Sequence, residues 1–133
     1  MKGIKKRLKE FFLRITNTKR EDKNYTERDC CFIMRNIELY YDSFERSYGN
    51  YYYGSARNDD YYIKECEHDL SKIKKLLIEY KICTRSIEKG YMNEAITEAE
   101  EQILFYDKEL LNMKDDYKER KTILKNIKNK GDL

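Results

Sequence analysis

From Met92 to Ile127 the chain reads MNEAITEAEEQILFYDKELLNMKDDYKERKTILKNI, and the spacing of its apolar residues decides the fold. Met92, Ile96, Ala99, Ile103, Tyr106, Leu110, Met113, Tyr117, Leu124 and Ile127 keep alternating steps of four and three, with Arg120 the one polar residue on the stripe. This a/d repeat puts an apolar seam along one helix and calls for partner helices to cover it. The charges agree. Residues 91–111 carry six acidic residues against Lys108, a net of −5, and residues 114–130 carry seven basic against three acidic, a net of +4. Acid first and base last complements the helix dipole. Asn93 is placed to cap this helix and Gly131 to end it.

The same rhythm occurs twice more, reading towards the N-terminus. Ile63, Cys66, Leu70, Ile73, Leu77, Tyr80, Thr84 and Ile87 form one seam, with Asp59 or Asp60 as its cap and Gly90 where a left-handed C′ residue belongs. Cys30, Met34, Ile37, Tyr41, Phe44 and Tyr48 form the other. Thr26 caps it, Asp29 stands three residues on as in a capping box, and Gly49 stops it. The predicted helices are 26–48, 60–88 and 93–129, and GNYYYGSARNDD (49–60) is the long irregular segment between the first two. Short links force up-down-up packing, so the expectation is all-α: an antiparallel three-helix bundle with coiled-coil seams, one domain over 25–130. At ~1.5 Å per residue the helices would be about 35, 42 and 55 Å long. The last therefore outruns its neighbours and leaves Leu124 and Ile127 uncovered.

Ahead of the bundle, Ile4, Leu8, Phe11, Phe12 and Ile15 share one face of a short amphipathic helix over 1–15, and 16–24 reads as a linker. Residues 1–20 carry eight basic residues and one acidic, a net of +7, against −4 for the remaining 113. Lys5, Lys6 and Arg7 with Phe11 and Phe12 suit an anionic membrane surface, a row of phosphates, a partner's groove, or a fourth position on the bundle with the lysines near Glu94–Glu101.

Composition narrows the function classes. Charged and hydrophobic residues each make up 40% of 133 residues, proline is absent and glycine occurs five times. The chain is too apolar for disorder, and its few breakpoints imply few, long elements. No apolar run approaches the ~20 residues of a membrane span. Cys30, Cys31, Cys66 and Cys83 lie inside helical patterns, which points to a reducing cytoplasm, and a bridge such as Cys31–Cys83 is an alternative. Cys66, His68 and the Cys30–Cys31 pair lack zinc-ligand spacing, so no metal site is expected. Asp59 and Asp60 with Glu65 and Glu67 read as caps and solvated charge. One histidine, no nucleophile elbow and no phosphate-cradling glycine loop argue against an enzyme or a bound cofactor.

What remains is binding. Tyr51, Tyr52, Tyr53, Arg57, Tyr61 and Tyr62 cluster at the end that also receives Lys118, Lys121, Leu124, Lys125, Ile127 and Lys128. Rigid aromatics beside an uncovered helix end suit a protein partner or self-association. Tyrosine interleaved with base equally suits stacked, single-stranded nucleic acid. A net charge of only +3 favours protein. Small size and Lys/Asn/Ile/Tyr bias are common in accessory proteins of viruses and mobile elements, so an accessory, inhibitor or assembly role is expected. Residues 90–96 (GYMNEAI) resemble the helix–turn–helix junction of a tetratricopeptide repeat, without a second copy at that family's ~34-residue period.

Overall fold

The computed structural model of the chain describes residues 25–54, 58–85, 87 and 89–129. They form three helices, α1 (Glu27–Tyr53), α2 (Asp59–Thr84) and α3 (Gly90–Asn129), and no strand occurs among the described residues. The amphipathic segment 1–15, the linker 16–24 and Arg57 lie outside the described residues.

Contacts between named residues fix the topology. Ser43 Oγ donates to Asp69 Oδ2 (2.7 Å), and Cys66 Sγ lies 3.6 Å from the Phe44 carbonyl, so α1 and α2 run antiparallel. Lys81–Glu100, Lys74–Asp107 and Lys114–Glu67 step along α2 and α3 in opposite directions. Up-down-up order follows, with α1 and α3 parallel. The expected seam of α2 from Ile63 to Thr84 (Ile63, Cys66, Leu70, Ile73, Leu77, Tyr80, Thr84) is buried, and Asp69, Ile82 and Cys83 are buried beside it because α2 packs on both other helices; Ile87 lies past the end of the helix.

The two outer helices meet differently. No Cα of α1 lies within 8 Å of one on α3 among the described residues. Rings bridge the gap instead. Phe44 stacks on Tyr106 (4.1 Å between centroids, 24° between planes), and Tyr41 meets the edge of Tyr106 at 5.7 Å. Met34, Tyr41 and Tyr48, expected in the core, are therefore only half-buried, while Ile33 and Tyr51, facing inward, are buried.

Helix boundaries correct four expectations. Gly49 does not stop α1, which continues to Tyr53. Carrying the helix past Gly49 costs about 1 kcal/mol relative to alanine and is outweighed by burying Tyr51. The stop is Gly54, whose N–H bonds the Asn50 carbonyl at 2.9 Å and where an added Cβ would collide with that carbonyl. Gly90 is the first residue of α3 rather than the C′ of α2, which ends at Thr84; Asn93 is then inside the first turn and not a cap. Asp59 and Asp60 do not cap α2 either. Asn58 precedes the helix without a side-chain cap, and the two aspartates pair with Arg120 and Lys64. The Thr26–Asp29 capping box is present in both directions, at 2.9 and 3.2 Å.

Gly49 offers a direct check, since nothing lies within 4 Å of a Cβ added there. Gly49→Ala is expected to stabilise the protein by about 0.5–1 kcal/mol in urea unfolding. A destabilised variant would mean that the chain needs a glycine turn at 49 after all.

The helices have 27, 26 and 40 residues, or about 40, 39 and 60 Å at ~1.5 Å per residue. Arg120 reaches Asp59 at the very start of α2, so residues 121–129 project beyond the bundle by about two and a half turns.

Candidate functional site

The projecting end of α3 and the C-terminal turns of α1 form one surface. The tyrosines expected in the loop are helical, because α1 runs through Tyr51, Tyr52 and Tyr53 and α2 through Tyr61 and Tyr62. Tyr51 is only 1% exposed. Its hydroxyl donates to Asp116 Oδ2 at 2.7 Å, and Arg120 lies 4.9 Å over its ring. It is a packed residue that closes the top of the core rather than a contact surface, which corrects its expected role. Burial, followed by the bond to Asp116, pushes the Tyr51 hydroxyl well above the usual phenol range, and Arg120 opposes the shift. Tyr48 donates to Glu109 Oε2 at 2.6 Å, which pushes its hydroxyl up as well. Both phenols stay protonated throughout the physiological range.

The other tyrosines grade outward. Tyr52 packs edge-on against Tyr51 (4.8 Å) and is half-buried, as is Tyr62. Tyr53 is 88% exposed, and Tyr61, next to Tyr62 at 5.6 Å, is also exposed.

Arg120, the polar interruption of the seam, ties this end together. Its Nε sits 2.9 Å from Asp116 Oδ2 and its Nη1 3.7 Å from Asp59 Oδ2. One guanidinium thus joins the end of α1, the start of α2 and α3. Asp59 and Asp116 were not singled out as site residues in the sequence, and the signal that could have found them was the arginine itself. A cation at a core position needs carboxylates from its neighbours.

Past Arg120 the helix surface divides. Ile123 and Ile127 continue the stripe that carries Asp116 and Arg120 towards α1, and Leu124 continues the core seam. Ile123 and Leu124 are 51% and 61% exposed, and Ile127 is partly covered. Lys118, Lys121, Lys125 and Lys128 are exposed on a separate stripe at steps of three, four and three, with Lys121 Nζ 4.6 Å from the Tyr117 ring. The overhang is therefore amphipathic, its apolar side running on from the bundle core.

Elsewhere little chemistry is assembled. Cys30 faces Cys83 across α1 and α2 with sulfurs 2.7 Å apart and no disulfide, Cys66 is buried and pushed up to about 12 by desolvation, and Cys31 is exposed. The thiol facing Cys83 is thus Cys30 and not Cys31. Among the described residues no group of three or more His, Cys, Asp or Glu is placed to hold a metal ion, and no helix is long and apolar enough to cross a membrane.

Fold and surface together define an all-α three-helix bundle with one amphipathic helix end. Comparison adds nothing to that class, because no known protein family, curated protein or solved structure matches the chain.

Proposed function

We propose that this chain is a non-enzymatic protein-binding module, of the accessory, inhibitor or assembly kind, that engages its partner with the α3 end beyond Arg120 and the tyrosines beside it. The observation that carries the reading is the exposure of Ile123 and Leu124 on the stretch of α3 that runs past the start of α2. Two large aliphatic side chains held in water on a preformed helix suit insertion into a partner's groove, with the lysine stripe meeting an acidic rim. A second copy of the chain would satisfy the same surface. Single-stranded nucleic acid is the competing reading, drawn from the exposed tyrosines and lysines. Asp59 and Asp60 directly precede Tyr61, and Asp116 and Glu109 hold the hydroxyls of Tyr51 and Tyr48 at the same end, which counts against a phosphate track there.

The test compares the full chain with the triple variant Ile123→Ser, Leu124→Ser, Ile127→Ser by sedimentation and by capture from a lysate of the native host. Each buried aliphatic side chain contributes about 1.5–3 kcal/mol, so self-association or capture should weaken at least tenfold while helicity and unfolding midpoint hold. Equal behaviour of the two proteins would overturn the assignment. Retention on single-stranded DNA at ~50 mM salt, lost at ~200 mM, would transfer the surface to nucleic acid.

A further inference from the structure

Two cysteines face each other at the end of the bundle opposite the projecting stretch of α3. Cys30 lies in the first turn of α1 and Cys83 in the last turn of α2, 53 positions apart, and antiparallel packing brings them together. Both side chains are fully buried, and their sulfurs are 2.7 Å apart without a disulfide. A disulfide needs ~2.05 Å between sulfurs, so closure asks for a shift of only about 0.6–0.7 Å. The surroundings hold the pair in register. The Thr26–Asp29 capping box and the Cys30 N–H, bonded to the Thr26 carbonyl at 3.2 Å, fix the start of α1. Tyr25 packs against the core there, and Tyr80 is buried one turn before Cys83. The other two thiols are placed differently, since Cys66 donates to the Phe44 carbonyl and Cys31 is exposed. A buried thiol packs as a small hydrophobe, but that role asks for no second sulfur beside it.

We propose that Cys30 and Cys83 form a thiol–disulfide site, which a small-molecule disulfide of the glutathione type converts into a covalent bridge between α1 and α2. In the first step the Cys30 thiolate attacks one sulfur of the oxidant and displaces the other half as a thiolate, which takes up the proton that Cys30 released. In the second the Cys83 thiolate attacks the Cys30 sulfur and displaces the remaining half, which takes up the Cys83 proton. The protein loses two S–H bonds and two electrons and gains one S–S bond, while the oxidant's S–S bond becomes two thiols. Burial pushes both cysteine thiols up, so thiolate is scarce and the exchange is slow. Access comes through the start of α1. Helix ends open at low cost, and unwinding the first turn uncovers Cys30 while Ile37, Phe44 and Tyr51 stay packed further along. Once formed, the bridge closes a loop that holds nearly all of α1 and α2, so it resists the opening that allowed it to form. The site therefore answers sustained oxidation rather than a brief pulse.

The experiment uses the full chain with Cys31→Ser, so that the exposed thiol forms neither adducts nor links between chains. The reduced, folded protein is held at mildly alkaline pH with excess oxidised glutathione, alkylated, and mapped by mass spectrometry. Expected are a monomer two hydrogens lighter, a linked pair of peptides carrying Cys30 and Cys83, and Cys66 still open to alkylation once the chain is unfolded. The bridged form should need about 1 M more urea to reach its unfolding midpoint, and excess dithiothreitol should return both mass and midpoint to their starting values. A folded protein that keeps all its thiols, glutathione left on Cys30 or Cys83 without a bridge, a bridge to Cys66, or bridging that appears only in urea would each overturn the site. So would a bridged form with an unchanged or lower midpoint, since the native packing would then reject the bond. The pair lies at the far end from Ile123 and Leu124, so this result is separable from that of the proposed partner surface.

Discussion

Tyr106→Ala is expected to lower the free energy of unfolding by about 3–5 kcal/mol, the largest single effect in this bundle. Tyr106 is buried and lies at the level where α1 and α3 come together only through side chains. Its ring stacks on Phe44, takes the edge of Tyr41, and is flanked by Phe105 at 6.0 Å. Truncation leaves a void that α3 can close only by shifting away from α2, the helix its backbone approaches and its buried residues Ala99, Leu110 and Met113 share a core with. The void therefore persists and its cost is felt in full. Tyr106→Phe keeps the ring and loses only the hydroxyl's contacts with Glu45 and Gln102, so it should cost less than about 1.5 kcal/mol. Urea unfolding followed by far-ultraviolet circular dichroism measures both. If the alanine variant cost no more than the phenylalanine one, the ring would not be what joins α1 to α3. At the upper end the loss rivals the whole stability of a small domain, so the variant should then be largely unfolded near body temperature.

The contrast between helices explains what could be read from the residues alone. The α2 seam from Ile63 to Thr84 was legible because a helix packed on two sides buries its a/d residues as the repeat assumes, whereas Asp69, Ile82 and Cys83, buried off the seam, were not. In α1 the repeat overstated contact with α3. Only residues facing inward, such as Ile33, Ile37, Phe44 and Tyr51, are buried, while Tyr41 and Tyr48 lie along the gap. Heptad spacing reports which side of a helix is apolar, not how closely each neighbour approaches. Glycine was the other blind spot. Gly49 and Gly54 look alike in the sequence, and what decides between them is tertiary: only by remaining helical past 49 can Tyr51 reach Asp116 and Arg120. The overhang of α3 was legible, since it follows from element lengths. Of the acidic partners of Arg120, Asp116 stands one turn back on the same helix, but Asp59 was not legible, since it comes from the start of α2, distant in the chain.

That arginine is where the second large effect is expected. Arg120→Met should destabilise the protein by about 1–2 kcal/mol although methionine restores an apolar residue to the seam. The guanidinium lies between Asp59 of α2 and Asp116 of α3 and over the Tyr51 ring of α1, and without it two carboxylates face each other at a packed corner. Arg120 is about one-third exposed, which keeps the figure below the several kcal/mol of a fully buried pair broken on one side. If the cost arises from the stranded carboxylates, removing one should recover it. Arg120→Met with Asp116→Asn should regain at least half of the loss, because the amide still accepts from the Tyr51 hydroxyl, whereas Asp116→Asn alone should cost under 1 kcal/mol or so. Additive effects in this double-mutant cycle would mean that the arginine acts through packing of its stem and not through its charge. The same cycle bears on the partner surface, because Arg120 anchors the turn from which Ile123 and Leu124 project. A stem loosened at Arg120 would fray the overhang, and partner affinity should then fall with stability in Arg120→Met and return with it in the double variant.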